Sequence, residues 1–516
     1  MLATFSIAVR PAQSQGTGSG SGSAPPADPT EPDDDDGSTD GSGSTLVAPK
    51  DPKARSAWLK EKLALAISAR PALAKARIGL AVQDLQTNAE LATRDGDKGL
   101  NLASNVKLLT GTAALAGLGG GFRWRTAVYA ETEPDETGTI TGDLYVRGRG
   151  DPTLSVAALE QLAHDVAARG VRNVEGKLVL DTAYFDNNVE PPHFDEQPKE
   201  RAAFRAPVAS FGVNRSAVTL TVMAEPGGAA RIKLEPTTDY YKLTKQEVTS
   251  VTQGRTKLRV EQKPKKDHVE LEITGQIKVG EGSWDLRRRV DDPARFAAEV
   301  FKKALADEGV KIRKPQLGSG QVPLTAKLLA HHDSAPLLDV VRAMNKHSDN
   351  YVAESILKTL GAELKGTPGA ATWADGLAAV KAQLGKLGLP AGSYRASNGS
   401  GLYASSEVSP KQLVTLLAAA HKDYRVGPDL LASLPVGGFD GTLARRWHGK
   451  PALGRVRAKT GTLDKVITLA GYVAVDPSHV VAFAILVNDV AARDRKVARA
   501  AMDEMIDVIA AYLGAQ

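Results

Sequence analysis

Cysteine is absent from the 516 residues. Its absence excludes disulfides, thiolate metal ligands and a cysteine nucleophile, and it fits an oxidising compartment without requiring one. Long apolar runs are missing too: no stretch approaches the roughly 20 residues a membrane-spanning helix needs. Aromatic residues make up 5% of the chain. No Lys/Arg block is long enough, or interleaved with enough aromatics, to form a nucleic-acid platform. What is present is an ordinary soluble balance, 42% apolar and 24% charged, with length for about two to four domains. The net charge of +5 hides an asymmetry, because residues 1–50 hold seven acids (Asp28, Glu31, Asp33 to Asp36, Asp40) against Arg10 and Lys50. The body is therefore more basic than the total. That suits polyanionic surroundings such as a cell envelope, although a solvated surface explains it as well.

The N-terminus, Met1 to Val9, is short and apolar with no basic region before it. It reads as the remnant of a signal peptide whose start lies upstream, or as a plain tail. Residues 11–50 are Gly, Ser, Pro and Asp with little to bury, the composition of a disordered linker. Beyond Asp51 the run Ala54 to Ala69 has helical spacing, Ile78 to Leu85 reads as a strand, and Leu91-Ala92 as its partner after the Thr87-Asn88 turn. Ala103 to Leu118 is helical again and stops at Gly119-Gly120-Gly121, which lacks the Lys-Ser/Thr of a phosphate loop. Residues 126–325 are richer in β-branched alternation. Helical patterning returns in Leu337–Leu360, Trp373–Leu387 and Lys411–His421. Two buried strands, Ile467 to Val475 and Val480 to Val487, precede a last helix from about Ala491 to Leu513. The apolar stripe of that helix (Val497, Met505, Ile509, Leu513) suits packing on the preceding sheet better than a membrane.

Three short motifs carry chemistry. Ser104-Asn105-Val106-Lys107 opens a predicted helix, so Ser104 and Lys107 share a face and the amine reaches the hydroxyl. The partial positive charge of a helix start favours a neutral amine and a developing oxyanion. A desolvated lysine near another cation is a competent base for an otherwise poor serine nucleophile. Alone such a motif is weak, and Ser355-Ile356-Leu357-Lys358 repeats it as a mere helix face. Ser348-Asp349-Asn350 offers a serine for proton relay and an asparagine for a substrate amide, or simply a helix N-cap. Lys459-Thr460-Gly461-Thr462 lies on a strand that puts Lys459 and Gly461 on one face. The lysine suits a carboxylate and the glycine a close backbone approach, and the amides of Thr462 and Ser104 make a candidate oxyanion hole. Alternatively the segment is a strand edge with a turn glycine.

Order and company decide. Ser-x-x-Lys, Ser-x-Asn and Lys-Thr-Gly follow one another on helix, loop and strand, the set shared by penicillin-binding proteins and class A β-lactamases. With nearly half of the chain between the first two, the sequence resembles the low-molecular-mass class C penicillin-binding proteins, D-alanyl-D-alanine carboxypeptidases and endopeptidases. Gly142-Asp143-Leu144-Tyr145, Gly150-Asp151-Pro152-Thr153-Leu154, Gly399-Ser400-Gly401-Leu402 and Gly441-Thr442-Leu443 extend the resemblance, while Asn398 and Tyr403 depart from the family's common Asp and Ser.

The resemblance implies an α/β (α+β) fold: a β-lactamase/transpeptidase-like domain, an antiparallel sheet flanked by helices, from residues 51–125 and 326–516. It carries two inserted β-rich modules, 126–206 with 281–325 and, inside it, 207–280. It implies that Ser104 attacks the penultimate D-Ala carbonyl with Lys107 as base. Ser348, Asn350 and Lys459 complete the catalytic set, and Lys459, Thr460, Gly461 and Thr462 receive the substrate's end. Asp151 reads the third-residue side chain from the site's mouth. Peptidoglycan stem peptides are the implied substrate, with β-lactams as covalent inhibitors, no cofactor or metal, a place outside the cytoplasm, and room for peripheral membrane contact.

Rival readings are weaker. His331-His332-Asp333 and His347 show no metal-ligand spacing, and Asn398-Gly399-Ser400-Gly401 is no nucleophile elbow. A β-lactamase shares the nucleophile but not the long gap. A non-catalytic wall-binding protein is disfavoured by the intact motif residues.

Overall fold

The computed structural model describes residues 46–403 and 406–515. The signal-remnant reading and nearly all of the linker reading lie outside the described residues. Leu46 and Ala48 already pack on the core.

A five-stranded antiparallel sheet joins the two ends of the chain, in the order Val456–Leu463, Val466–Asp476, His479–Asn488, Arg77–Asp84, Glu90–Arg94. Alternation along each strand sends side chains to opposite faces. Val481, Phe483, Ile485 and Val487 meet Leu59, Leu63, Ile506 and Ile509 of the helices Pro52–Ser68 and Arg495–Leu513. Ala482, Ala484 and Leu486 face a second helical layer formed by Val106–Leu118, Leu337–His347, Asn350–Leu364, Trp373–Lys386 and Pro410–Lys422. Covered on both sides, Val466–Asp476 buries eight consecutive residues. Each fully buried Val, Leu, Ile or Phe contributes about 1.5–3 kcal/mol of transfer free energy. The C-terminal stripe thus packs on the sheet, and among the described residues no helix is long and apolar enough to cross a membrane.

The continuous helical pattern Leu337–Leu360 is broken in the molecule. Ser348 adopts left-handed backbone geometry (φ 57°) and ends Leu337–His347. Asp349 then accepts from the Val352 N–H at 3.0 Å and starts Asn350–Leu364. The N-cap belongs to Asp349, which leaves Ser348 and Asn350 on either side to point elsewhere.

The chain enters the insert at Trp124 and leaves it at Ser334, whose backbones bond to each other at 2.9 Å. The insert is less uniformly β than its composition suggests. Val156–Ala168 and Pro293–Asp307 are helices whose apolar residues (Leu159, Leu162, Val166; Phe296, Val300, Phe301) recur at helical spacing over a second core. They accompany a sheet ordered Gly318–Ser319, Leu178–Asp181, Leu144–Arg147, Arg125–Ala130, Lys327–Asp333. Two three-stranded sheets lie in the middle: Arg231–Glu235, Ala217–Met223, Ser283–Arg289, and Tyr241–Val251, Val269–Lys278, Lys257–Pro264. Strand pairing crosses residue 280, where Ser283–Arg289 pairs with Ala217–Met223, and residue 325, where Lys327–Asp333 pairs with Arg125–Ala130.

Candidate active site

Ser104 sits in a single tight turn, Ala103–Asn105, that runs into the helix Val106–Leu118. The turn is pinned from the sheet. Asn105 Nδ2 donates to Thr468 Oγ1 at 2.6 Å, and Thr468 Oγ1 donates to the Leu102 carbonyl at 2.8 Å. A Cβ added at Gly461 would meet Thr468 Oγ1 at 2.2 Å, Leu102 O at 2.8 Å and Ser104 N at 3.0 Å. The close approach this glycine permits is thus to the protein's own Leu102–Ser104 turn. Gly401 does the same from the other side, with φ +78° and the Ala103 carbonyl 1.9 Å from where a Cβ would lie.

Lys107, the second residue of the helix Val106–Leu118, is fully buried. Its Nζ lies 3.0 Å from Ser104 Oγ, 2.7 Å from Asn350 Oδ1 and 2.9 Å from the Ser400 carbonyl. Lys459, also fully buried, donates to Ser348 Oγ at 2.9 Å and to the Thr460 carbonyl at 2.7 Å. The fold thus brings Ser104, Lys107, Ser348, Asn350 and Lys459 together, through two hydrogen-bonded groups that meet at the Ser348-Asp349-Asn350 turn. Thr460 Oγ1 donates to Thr442 Oγ1 at 2.9 Å, so the conspicuous Gly441-Thr442-Leu443 segment braces the Lys-Thr-Gly strand. Thr462 is exposed further along Val456–Leu463, an edge strand of the sheet.

The insert reaches this turn directly. Asn350 Nδ2 donates to the Phe204 carbonyl at 3.2 Å, and Arg215 pairs with Asp349 at 3.0 Å. Burial alone would raise the Asp349 carboxyl. Arg215, the Val352 N–H and the positive charge of Arg287 and Lys107 outweigh it and hold the group below the usual carboxylate range. Lys358, from the second Ser-x-x-Lys, serves no nucleophile. It is fully buried, pairs with Asp186 at 2.6 Å, donates to the Asn188 carbonyl at 2.8 Å and stacks on Trp373. Its burial lowers its pKa despite the Asp186 partner.

Asp151 stands outside this cluster. Its side chain is 1% exposed, one oxygen accepts from the Thr153 N–H at 2.8 Å, and His332 Nε2 lies 3.8 Å away. Desolvation raises its pKa. His331 and His332 lie on the strand Lys327–Asp333, and among the described residues no three His, Asp or Glu side chains are grouped to hold a metal. Sequence reasoning did not single out Glu354, Arg215 or the carbonyls of Phe204 and Ser400. Only Glu354 carried a signal, four residues after Asn350 on the same helix face.

A helix-flanked antiparallel sheet, with a Ser–Lys pair at a helix start whose lysine is fully buried and a Lys-Thr-Gly edge strand beside it, suits a serine hydrolase. Comparison with known proteins narrows this. The family model described as D-Ala-D-Ala carboxypeptidase 3 (S13) matches residues 59–509. The chain is 36% identical over 440 residues to a D-alanyl-D-alanine carboxypeptidase of Actinomadura sp. (strain R39), covering 82% of this chain and 80% of that one. The crystal structure of penicillin-binding protein 4 (dacB) from Haemophilus influenzae superposes with a TM-score of 0.71 at 24% identity, over 86% of this chain and 97% of that one. The same protein complexed with a β-lactam gives 0.66 at 25% identity, over 83% and 93%. The chain belongs to the D-Ala-D-Ala carboxypeptidase 3 family of serine peptidases.

Proposed function

We propose that Ser104 is the nucleophile of this DD-peptidase and Lys107 its general base, acting on D-Ala-ended stem peptides of peptidoglycan. The observation that carries the reading is the 3.0 Å contact between the fully buried Lys107 Nζ and the half-buried Ser104 Oγ. Two acceptors, Asn350 Oδ1 and Ser400 O, take N–H bonds of the amine, so that a neutral Lys107 presents its lone pair to the Ser104 O–H.

In acylation the Ser104 proton passes to Lys107 as Oγ bonds to the penultimate D-Ala carbonyl carbon. The carbonyl oxygen takes the displaced electron pair beside the amides of Ser104 and Thr462. Collapse breaks the C–N bond, and the Lys107 proton reaches the leaving amine through Ser348, which Lys459 orients. Water then gives a proton to Lys107 and attacks the ester carbon, and Oγ leaves with that proton. Lys459, with Thr460 and Thr462 along the open strand edge, receives the terminal carboxylate, and the extended peptide pairs with that edge. The step is the same whether the amine belongs to D-Ala or to the diamino acid of a cross-link, so one site serves carboxypeptidase and endopeptidase reactions. A β-lactam presents a strained amide to the same serine. Intact wall peptide lies outside the cytoplasm, which places the working enzyme there, against the envelope.

The test is release of D-Ala from a stem peptide ending in D-Ala-D-Ala. The reading requires release by the wild type and none by Ser104→Ala; equal release by both would overturn it.

A further inference from the structure

Behind Lys107 lies a carboxylate that the three motifs leave out. Glu354 is fully buried on the helix Asn350–Leu364, one turn after Asn350. Its two oxygens accept from consecutive backbone amides, Gly399 N–H at 2.9 Å and Ser400 N–H at 2.8 Å. The same short loop is tied to the nucleophile helix, because Thr110 Oγ1 donates to the Gly399 carbonyl at 2.7 Å. It is closed upon itself by the Gly401 N–H donating to Asn398 Oδ1 at 2.8 Å. The product of these ties is one acceptor in one place: the Ser400 carbonyl, 2.9 Å from Lys107 Nζ.

A buried acid has a high cost unless its oxygens are satisfied. A site for a charged residue in the core is therefore informative. An apolar residue would fill the space, but only an acceptor with two oxygens bonds two adjacent amides and orients the carbonyl that follows. We infer that Glu354 is a positioning residue for acylation: through the Gly399–Ser400 amides it fixes the carbonyl that aims Lys107 at Ser104. Glu354 touches neither substrate nor the reacting atoms. Its charge also faces Lys107, whose positive charge pulls the Glu354 carboxyl down while burial, the larger effect, pushes it up. The other charges around the loop are Asp349 at the head of the same helix, with Arg215 of the insert upon it, and Lys459 behind Ser348 on the edge strand.

The inference rests on the Ser104–Lys107 reading, and the test separates the two. Acylation rates by a fluorescent penicillin are measured from pH 5 to 10 for wild type, Ser104→Ala, Glu354→Gln and Thr110→Val, with thermal unfolding of each. Failure of Ser104→Ala to abolish labelling sinks the reading itself. With that control in place, Glu354→Gln keeps the side chain's shape but sets an NH2 against a backbone N–H. Its plateau rate is expected to fall about 10- to 100-fold, the scale of a displaced general base. Above its raised pKa Glu354 is charged and its field reaches Lys107, so there the substitution also makes the amine easier to deprotonate and the acid limb moves to lower pH. A merely structural role would not move that limb. An unchanged plateau, or a fall with the limb in place, overturns the inference. If Glu354→Gln does not fold, Thr110→Val loosens the same loop from the other side without altering charge. It is expected to lower the plateau several-fold with the limb unmoved, and a wild-type rate there overturns the inference.

Discussion

Two halves of the molecule meet on the helix Asn350–Leu364, and they reach it by different means. The catalytic half comes with side chains: Lys107 to Asn350 at 2.7 Å and Lys459 to Ser348 at 2.9 Å. The insert comes with the backbone carbonyls of Phe204 and Asn188, with the Tyr184 hydroxyl donating to Glu363, and with three ion pairs, Arg215–Asp349, Asp186–Lys358 and Arg149–Glu363. Both halves have buried cores, but an edge strand of the insert differs from the central strand of the catalytic sheet. The central strand His479–Asn488 buries eight residues in a row, whereas Lys257–Pro264 of the insert buries none and alternates exposed with half-buried positions. Chemistry needs particular functional groups and rigid support, so it is written in side chains on helix starts and one strand packed on a buried core. Holding a turn in place needs only acceptors and charge, which many sequences supply.

If the insert grips the catalytic helix through buried charge, breaking that grip should have the largest effect on stability. Lys358→Met leaves Asp186 without its cation and the Asn188 carbonyl with the Trp373 indole N–H as its remaining donor. A loss of about 2–3 kcal/mol is expected, below the usual 3–5 for breaking a buried pair because Asp186 is 28% exposed. Denaturant unfolding measures it; a wild-type midpoint would show that the halves are joined elsewhere.

The second test sharpens the comparison through pH. Asp349 is held low in the folded protein, so its contribution is present above the carboxylate's unfolded pKa and is lost as pH falls through the lower folded value. Arg215→Ala removes the nearest cation while burial continues to raise the group. The variant should therefore lose stability at a higher pH than wild type, with an acid-unfolding midpoint displaced upward. Coincident acid transitions would deny the insert a part in holding the Ser348-Asp349-Asn350 turn.

The smallest effect belongs to the exposed insert sheet. Arg259→Ser in Lys257–Pro264 should change stability by less than about 0.5 kcal/mol, against about 1 kcal/mol for Ile485→Val in the central strand. Equal costs would mean that the two sheets are not buried as differently as the structure has them.

The same contrast governs what the sequence made legible. Ser104, Lys107, Ser348, Asn350 and Lys459 stand in three short contiguous motifs, and their grouping could be expected once order and company were weighed. The break at Ser348 was legible only in part, because apolar spacing continues across it while Ser348-Asp349-Asn350 also offers an N-cap; left-handed Ser348 and extended Asp349 interrupt the helix. Helices inside the insert were overshadowed by the β-branched segments around them, although Leu159, Leu162 and Val166 have helical spacing. Arg215 and the Phe204 carbonyl left no trace at all. A carbonyl has no residue identity, and an arginine far along the chain declares its partner only when the fold is known. Glu354 lies between these extremes, visible as an acid one turn after Asn350 yet meaningless until the Gly399–Ser400 amides were seen to converge on it.

The account's central claim is that Ser104 carries the acyl group. Mass spectrometry after incubation with benzylpenicillin, with peptide mapping, tests it most directly. The account predicts a stable penicilloyl adduct on the Ser104 peptide of the wild type and none on folded Ser104→Ala. An adduct that persists in the variant, or its absence from folded wild type, would contradict it.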